Sequence, residues 1–327
     1  MKNTTGQLRI FSLLVCAGLC FSAGCRRSTG PLSRSAQLLH TAVTVTVYHT
    51  QDRAVLDECF RQMERYEDLF SRTREGSDVW RINQAGGKPL EVAEDTAAVL
   101  RLAQEYAVYS DGALDVTIAP ASGLWDFTAE APRVPDAAAL AAAAAHVGWQ
   151  NLFIDGTTVQ LGEEEMAVDL GAVAKGYIAD RLAAVLRDNG VTSALINLGG
   201  NIYALGDKDG ADWKIGIRSP RDGTALAATV RVQNKSVVTS GIYERGFEQD
   251  GVWYHHILDP KTGRPVQNDL ASVTIVSDSS AEGDALATAC FVLGEEKGIE
   301  LIRRMPGVQA LFIREDGTQT RTEGFPG

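Results

Sequence analysis

Ser272-Val-Thr-Ile-Val276, followed by Ala281-Glu-Gly-Asp-Ala-Leu-Ala-Thr-Ala-Cys-Phe-Val-Leu293-Gly294, sets an apolar strand almost directly before an apolar helix. The β-branched run from Ser272 to Val276 predicts a strand. The helix predicted over Ala281–Leu293 stops at Gly294, a residue that tolerates a helix terminus. A further helix runs from Glu295 to about Arg304. Upstream, hairpin-length strands are predicted at Ala194–Leu198, Lys214–Ile217, Thr229–Val232 and Val252–Leu258, and another downstream at Gln309–Ile313. A helix over Ala174–Asn189, ending near Gly190, precedes them. Helices interspersed irregularly among short strands argue for an α+β fold of mostly antiparallel strands, not a doubly wound parallel sheet.

The first half of the chain is more helical. Thr41 to Tyr48 alternates Val43, Val45 and Val47 and predicts a strand. From Asp52 to Phe70, Val55, Cys59, Phe60, Met63, Tyr66 and Phe70 recur at helical spacing. Ser71 to Gly87 is polar and predicts a surface loop. Thr96 to Ser110 predicts a second amphipathic helix, stopped by Asp111-Gly112, and Pro135 to His146 an alanine-rich one. No internal repeat divides the chain.

The N-terminus is an address. Lys2 and Arg9 precede an apolar run from about Ile10 to Phe21, then Ser22-Ala-Gly24 before Cys25. The run is too short to span a bilayer and has the form of an export signal. Ala-Gly-Cys resembles a lipobox, with Ser22 where leucine is preferred, so residues 1–24 are expected as signal, Cys25 as the lipidated residue and 25–36 as a flexible tether; an ordinary cleaved signal is the competing reading. Residues 37–327 then form the folded unit. Of five cysteines only Cys59 and Cys290 remain beyond the anchor, and both fall on helical apolar faces, as buried free thiols. Losing Lys2 and Arg9 takes the formal charge from −11 to −13, which argues against a nucleic-acid partner and requires local positive groups or a metal for any anionic substrate.

Three runs carry chemistry. Tyr254-His-His-Ile-Leu-Asp-Pro-Lys-Thr-Gly-Arg-Pro265 places two of the five histidines side by side before a turn. Neighbours in a strand face opposite ways, so at most one of His255 and His256 enters a given site; spacing alone does not choose. Asp169-Leu-Gly-Ala-Val-Ala-Lys175-Gly176 turns a strand end into a helix start, whose N–H groups favour anions and to which Lys175 adds charge. The Walker spacing is absent, and a plain tight turn with a solvated lysine explains the run equally well. Asp284 and Thr288, four apart on a helix, share a side and offer hard oxygen donors for magnesium or calcium. The competing reading is an aspartate satisfying its own first turn. Asn197-Leu-Gly199-Gly200-Asn201 permits close ligand approach or merely a bulge.

Taken in order, these runs with Gly112-Ala-Leu-Asp-Val-Thr117 and Thr239-Ser-Gly-Ile-Tyr243 resemble the bacterial ApbE-type flavin transferases, the FAD:protein FMN transferases, over most of the chain. The resemblance implies an exported, membrane-anchored, extracytoplasmic enzyme. It would move FMN from FAD to a threonine or serine of a partner protein, a membrane redox subunit carrying an Asp-Gly-x-Ser/Thr-Gly-Ala-Thr-like segment, with AMP leaving. It assigns Ala113, Leu114, Asp115, Asp169, Lys175 and Ile257 to FAD, and His256 as base. Mg2+ would be held by Asp284, Thr288 and the carbonyls of Ala172 and Ala287. Leu114 stands where phenylalanine is usual, Ala172 for glycine, Ile242 for an acidic residue, and Leu39-His-Thr41 for Met-Gly-Thr. The readings that compete are Mg2+-dependent hydrolysis of FAD to FMN and AMP, and a flavin-binding lipoprotein without turnover. Asp222-Gly-Thr224-Ala-Leu-Ala-Ala-Thr229 has the wrong spacing for an acceptor, so self-modification is not expected.

Overall fold

The computed structural model describes residues 30–50, 52–127 and 129–327; the signal and Cys25 lie outside the described residues. The chain starts with a hairpin, β1 (Leu32–Leu38) and β2 (Thr41–Val47), then α1 (Ala54–Phe70) and α2 (Asp78–Gln84). Next come β3 (Leu90–Glu91), α3 (Glu94–Tyr109), α4 (Ala119–Ser122), α5 (Ala137–Ala144), β4 (Leu152–Asp155) and β5 (Thr158–Leu161). The second half runs α6 (Ala174–Asp188), β6 (Ala194–Leu198), β7 (Asn201–Leu205), β8 (Trp213–Arg218), β9 (Leu226–Val232) and β10 (Lys235–Gly241). It ends with β11 (Gly246–Gln249), β12 (Val252–His255), β13 (Leu270–Ser277), α7 (Ser280–Leu293), α8 (Glu295–Arg303), β14 (Gln309–Arg314) and β15 (Gln319–Arg321).

Eight strands make one antiparallel sheet in the order β1-β2-β6-β7-β10-β13-β14-β15. The side-chain period of two sends neighbours to opposite faces, and here both faces are covered. Val238, Val273, Ile275, Ala310 and Phe312 point into the main core with α1, α6 and α7. Val237, Val276, Leu311 and Ile313 point the other way, under Trp213, Ile215, Ile217, Val230 and Val232 of the β8–β9 hairpin. That is why all eight residues of β13 are buried and why it reads as a continuous apolar run. The α+β class of mostly antiparallel strands holds.

Three expectations are corrected. Leu32 to Ala36, expected as tether, belongs to β1, which pairs from Leu32↔Val47 to Leu38↔Thr41 and forms an edge of the sheet. The loop expected over 71–87 contains α2, capped by Ser77, whose side chain accepts from Trp80 N; Val79 and Ile82 of this helix are buried. The strand expected to reach Leu258 ends at His255, because Ile257 N turns back to the His255 ring and Asp259 closes a turn with Thr262 N and Gly263 N. Cys59 and Cys290 are buried free thiols, and burial pushes both well above the ordinary thiol range.

Candidate active site

Asp169 Oδ1 accepts from Gly171 N at 2.9 Å, and Leu170 O accepts from Val173 N and Ala174 N. This compact turn feeds directly into α6 and sets Lys175 in its first turn. The other Asp169 oxygen lies 3.4 Å from Arg72 Nε and 3.4 Å from Ser122 Oγ, so the site has a second cation that the sequence analysis did not single out. The backbone N of Asp169 bonds Val116 O at 2.7 Å, which places the 112–117 segment alongside.

Within that segment, Asp115 is buried and its carboxylate is fully engaged. Oδ1 accepts from Thr117 N and Thr117 Oγ1, and Oδ2 from Trp149 N. Burial raises its carboxyl, with those three bonds pulling against it. The side chains of Ala113, Leu114 and Ile257 are buried too. The Leu114 side chain, which stands where phenylalanine is usual in the family it resembles, lies in the main core.

α6 crosses α7 at Gly176. A Cβ there would run into Ser280 O and would lie 2.7 Å from both Ala281 Cα and Asp284 Cβ, so only glycine permits this approach. The contact brings Gly176 N to Asp284 Oδ2 at 2.9 Å. One turn on, Asp180 of α6 accepts from Ser279 Oγ, Ser280 N and Ala281 N, and so caps α7 from outside. Asp284 is therefore not needed to satisfy the first turn of its own helix. Burial foremost raises its carboxyl, opposed by Lys175, the Gly176 N–H and the Asn201 side chain. Thr288 Oγ1 stands 3.2 Å from Ser240 Oγ of β10, so a second hydroxyl joins the oxygen donors. Ala172 and Thr288 are half-buried, and Ala287 is fully buried.

The paired glycines Gly199 and Gly200 both have positive φ, 65° and 95°, and form the two-residue turn of the β6–β7 hairpin. The turn places Asn201 at the start of β7, with Oδ1 accepting from Ser280 Oγ at 2.7 Å.

The two histidines differ in burial and partners. His255 is buried edge-on against Phe291, its Nδ1 accepts from Ile257 N, and its Nε2 lies 3.1 Å from Val266 O. With Nδ1 an acceptor, Nε2 carries the proton, and both nitrogens are used structurally. His256 is half-buried, with Nδ1 3.2 Å from Arg245 O. A carbonyl needs a donor, so Nδ1 carries the proton and the lone pair is on Nε2. Burial holds this ring down to about 4; the bond to the Arg245 carbonyl opposes it, and the charges of Arg245, His255 and Lys175 add to it. It is neutral at pH 7. Lys175 lies near enough to act electrostatically on both His256 and Asp284.

The ApbE family model matches residues 39–312. A Klebsiella pneumoniae FAD:protein FMN transferase is 40% identical over 288 residues, covering 87% of this chain and 89% of that protein. A Treponema pallidum protein of the same name is 39% identical, with 97% and 93% covered. Among solved structures, the Thermotoga maritima ApbE protein superposes with a TM-score of 0.83 at 32% identity, covering 90% of this chain and 97% of that one. The Vibrio cholerae flavin transferase ApbE follows at 0.81 and 31%, with 90% and 96% covered.

Proposed function

The chain belongs to the ApbE family, and we propose that it moves FMN from FAD onto a hydroxyl of an acceptor protein, releasing AMP. One observation carries the reading at the level of residues. A lysine, a buried carboxylate among oxygen donors and a neutral imidazole with a free Nε2 share one site where α6 crosses α7.

A threonine hydroxyl is a poor nucleophile and gains from a base within reach. His256 Nε2 takes the hydroxyl proton while the acceptor oxygen bonds to the FMN-side phosphorus. The bond from that phosphorus to the bridging oxygen breaks, and AMP leaves with the electron pair. Lys175 supplies positive charge for the pyrophosphate in an otherwise acidic protein. Asp115 holds the 115–117 turn to Trp149, and Asp169 shapes the turn before Lys175.

Asp284, Thr288 and the carbonyls of Ala172 and Ala287 are all hard oxygen donors, and a carboxyl raised by burial gains most from a nearby cation. These residues would hold Mg2+, which when bound offsets the charge of the pyrophosphate and of the departing AMP. The acceptor is a membrane redox subunit with an Asp-Gly-x-Ser/Thr-Gly-Ala-Thr-like segment. The enzyme works outside the cytoplasm on a lipid at Cys25; support for both comes from the N-terminal sequence and the family resemblance.

The test is product analysis with FAD, Mg2+ and a peptide carrying that segment. Peptide gaining FMN in step with AMP release supports transfer. AMP and free FMN with unmodified peptide, repeated with a complete acceptor domain, would show hydrolysis in its place. FAD bound without turnover would leave a flavin-binding protein.

A further inference from the structure

We propose that Asn201 is a positioning residue that holds the Asp284 carboxylate in its cation-binding orientation. This rests on the reading of Asp284 as a divalent-cation ligand. Ser280 and Asp284 are one turn apart on α7 and therefore lie on the same face. Asn201 bonds the Ser280 end of that face through Oδ1, at 2.7 Å. Ser280 Oγ in turn accepts from Ser236 Oγ at 2.8 Å, which leaves its own proton for Asn201. The Ser236–Ser280 bond is shorter than the 3.2 Å from Ser236 Oγ to Ile202 O, which competes for the same proton, and it orients the amide with its oxygen toward Ser280 and the NH2 group away from it.

That NH2 group is the unusual feature. Asn201 is 2% exposed, and its Nδ2 reaches no acceptor with hydrogen-bond geometry, although the side chain lies near enough to bear on the Asp284 carboxyl. Buried donors are rarely left so unless something completes them. The Asp284 carboxylate is the anionic acceptor on the same helix face, already tethered on its other side by Gly176 N. A carboxylate turned onto a cation would present an oxygen to this donor. Asn201 and Gly176 together would then fix a ligand that a single bond leaves free to rotate, as outer partners of metal ligands do.

The experiment measures Mn2+ binding to the full chain by electron paramagnetic resonance, with thermal melts alongside. Asp284→Ala checks the underlying reading; unchanged Mn2+ affinity there overturns that reading and this proposal with it. Given loss at Asp284→Ala, Asn201→Leu removes the donor at similar volume and is expected to weaken Mn2+ binding roughly 10–100-fold. Ser280→Ala keeps Asn201 but frees the amide to turn, and is expected to weaken binding less. Because Ser280 acts through Asn201, it should add nothing in the Asn201→Leu background. Mn2+ affinity within twofold of wild type in both single variants overturns the proposal. So does a full additive loss in the double variant. Should Asn201→Leu fail to fold, Ser280→Ala decides alone, by weakened binding or by wild-type binding.

Discussion

Gly176→Ala tests the packing on which the site depends. The added methyl would collide with Ser280 O and lie 2.7 Å from Ala281 Cα and from Asp284 Cβ. Two of these are backbone atoms of α7 and the third is the root of a side chain, so no flexible tip can give way. Carbon contacts are comfortable near ~3.5 Å, so the crossing must open by roughly 1 Å. Overpacking of this kind costs about 1–3 kcal/mol. Losing much of the Gly176 N–H bond to the buried Asp284 carboxylate adds about 1.5–3 kcal/mol. Alanine's better helix propensity returns only about 1 kcal/mol. The net is a loss of roughly 2–5 kcal/mol. For a domain of this size that is a fall of roughly 3–8 °C in melting temperature by calorimetry, with transferase activity falling in parallel. An unchanged or higher Tm would show that propensity wins and that α6 and α7 have slack, which would undo the account of how Asp284 is placed.

His256→Ala should retain FAD binding by fluorescence titration while transfer falls about 10²–10⁴-fold, since a base alone is removed. His255→Ala should instead destabilise the fold, because it empties a buried position against Phe291 and strands Val266 O, and its melting temperature should fall. The unprotonated His256 ring is the active form and its pKa is depressed, so activity should persist as pH drops below the ordinary histidine range. The acid limb of kcat/KM should fall near pH 4, and a limb near ~6.5 would contradict the burial argument. Asp284→Ala, or EDTA with wild type, should abolish turnover, and added Mg2+ should restore only the EDTA-treated wild type.

Much of this architecture was legible because apolar side chains report their surroundings directly. The β13–α7 run and the helices at 174–188 and 295–303 follow from period and spacing. The elements that escaped are built from residues that look polar. In β10, Ser236 is fully buried, its hydroxyl donated to Ser280 Oγ with Ile202 O 3.2 Å away, so no apolar alternation betrays the strand. β7 begins at Asn201 directly after a Gly-Gly turn, a hairpin signal that reads equally as a ligand loop. β1 is an edge strand with mostly exposed serines, arginine and glutamine, the composition of a tether. At the site, Asp180, Ser240 and Arg72 were invisible for a related reason. Their importance lies in which distant segment they touch, and no local pattern encodes that.

The most direct test is the intact mass of an acceptor domain after incubation with FAD and Mg2+, run in parallel with the wild-type chain and with His256→Ala. The account predicts one FMN added to the acceptor by the wild-type chain, matched by AMP, and an acceptor left at its starting mass by a variant that still binds FAD. Equal modification by both proteins would remove His256 from the chemistry, and an unmodified acceptor with the wild-type chain would contradict transfer itself.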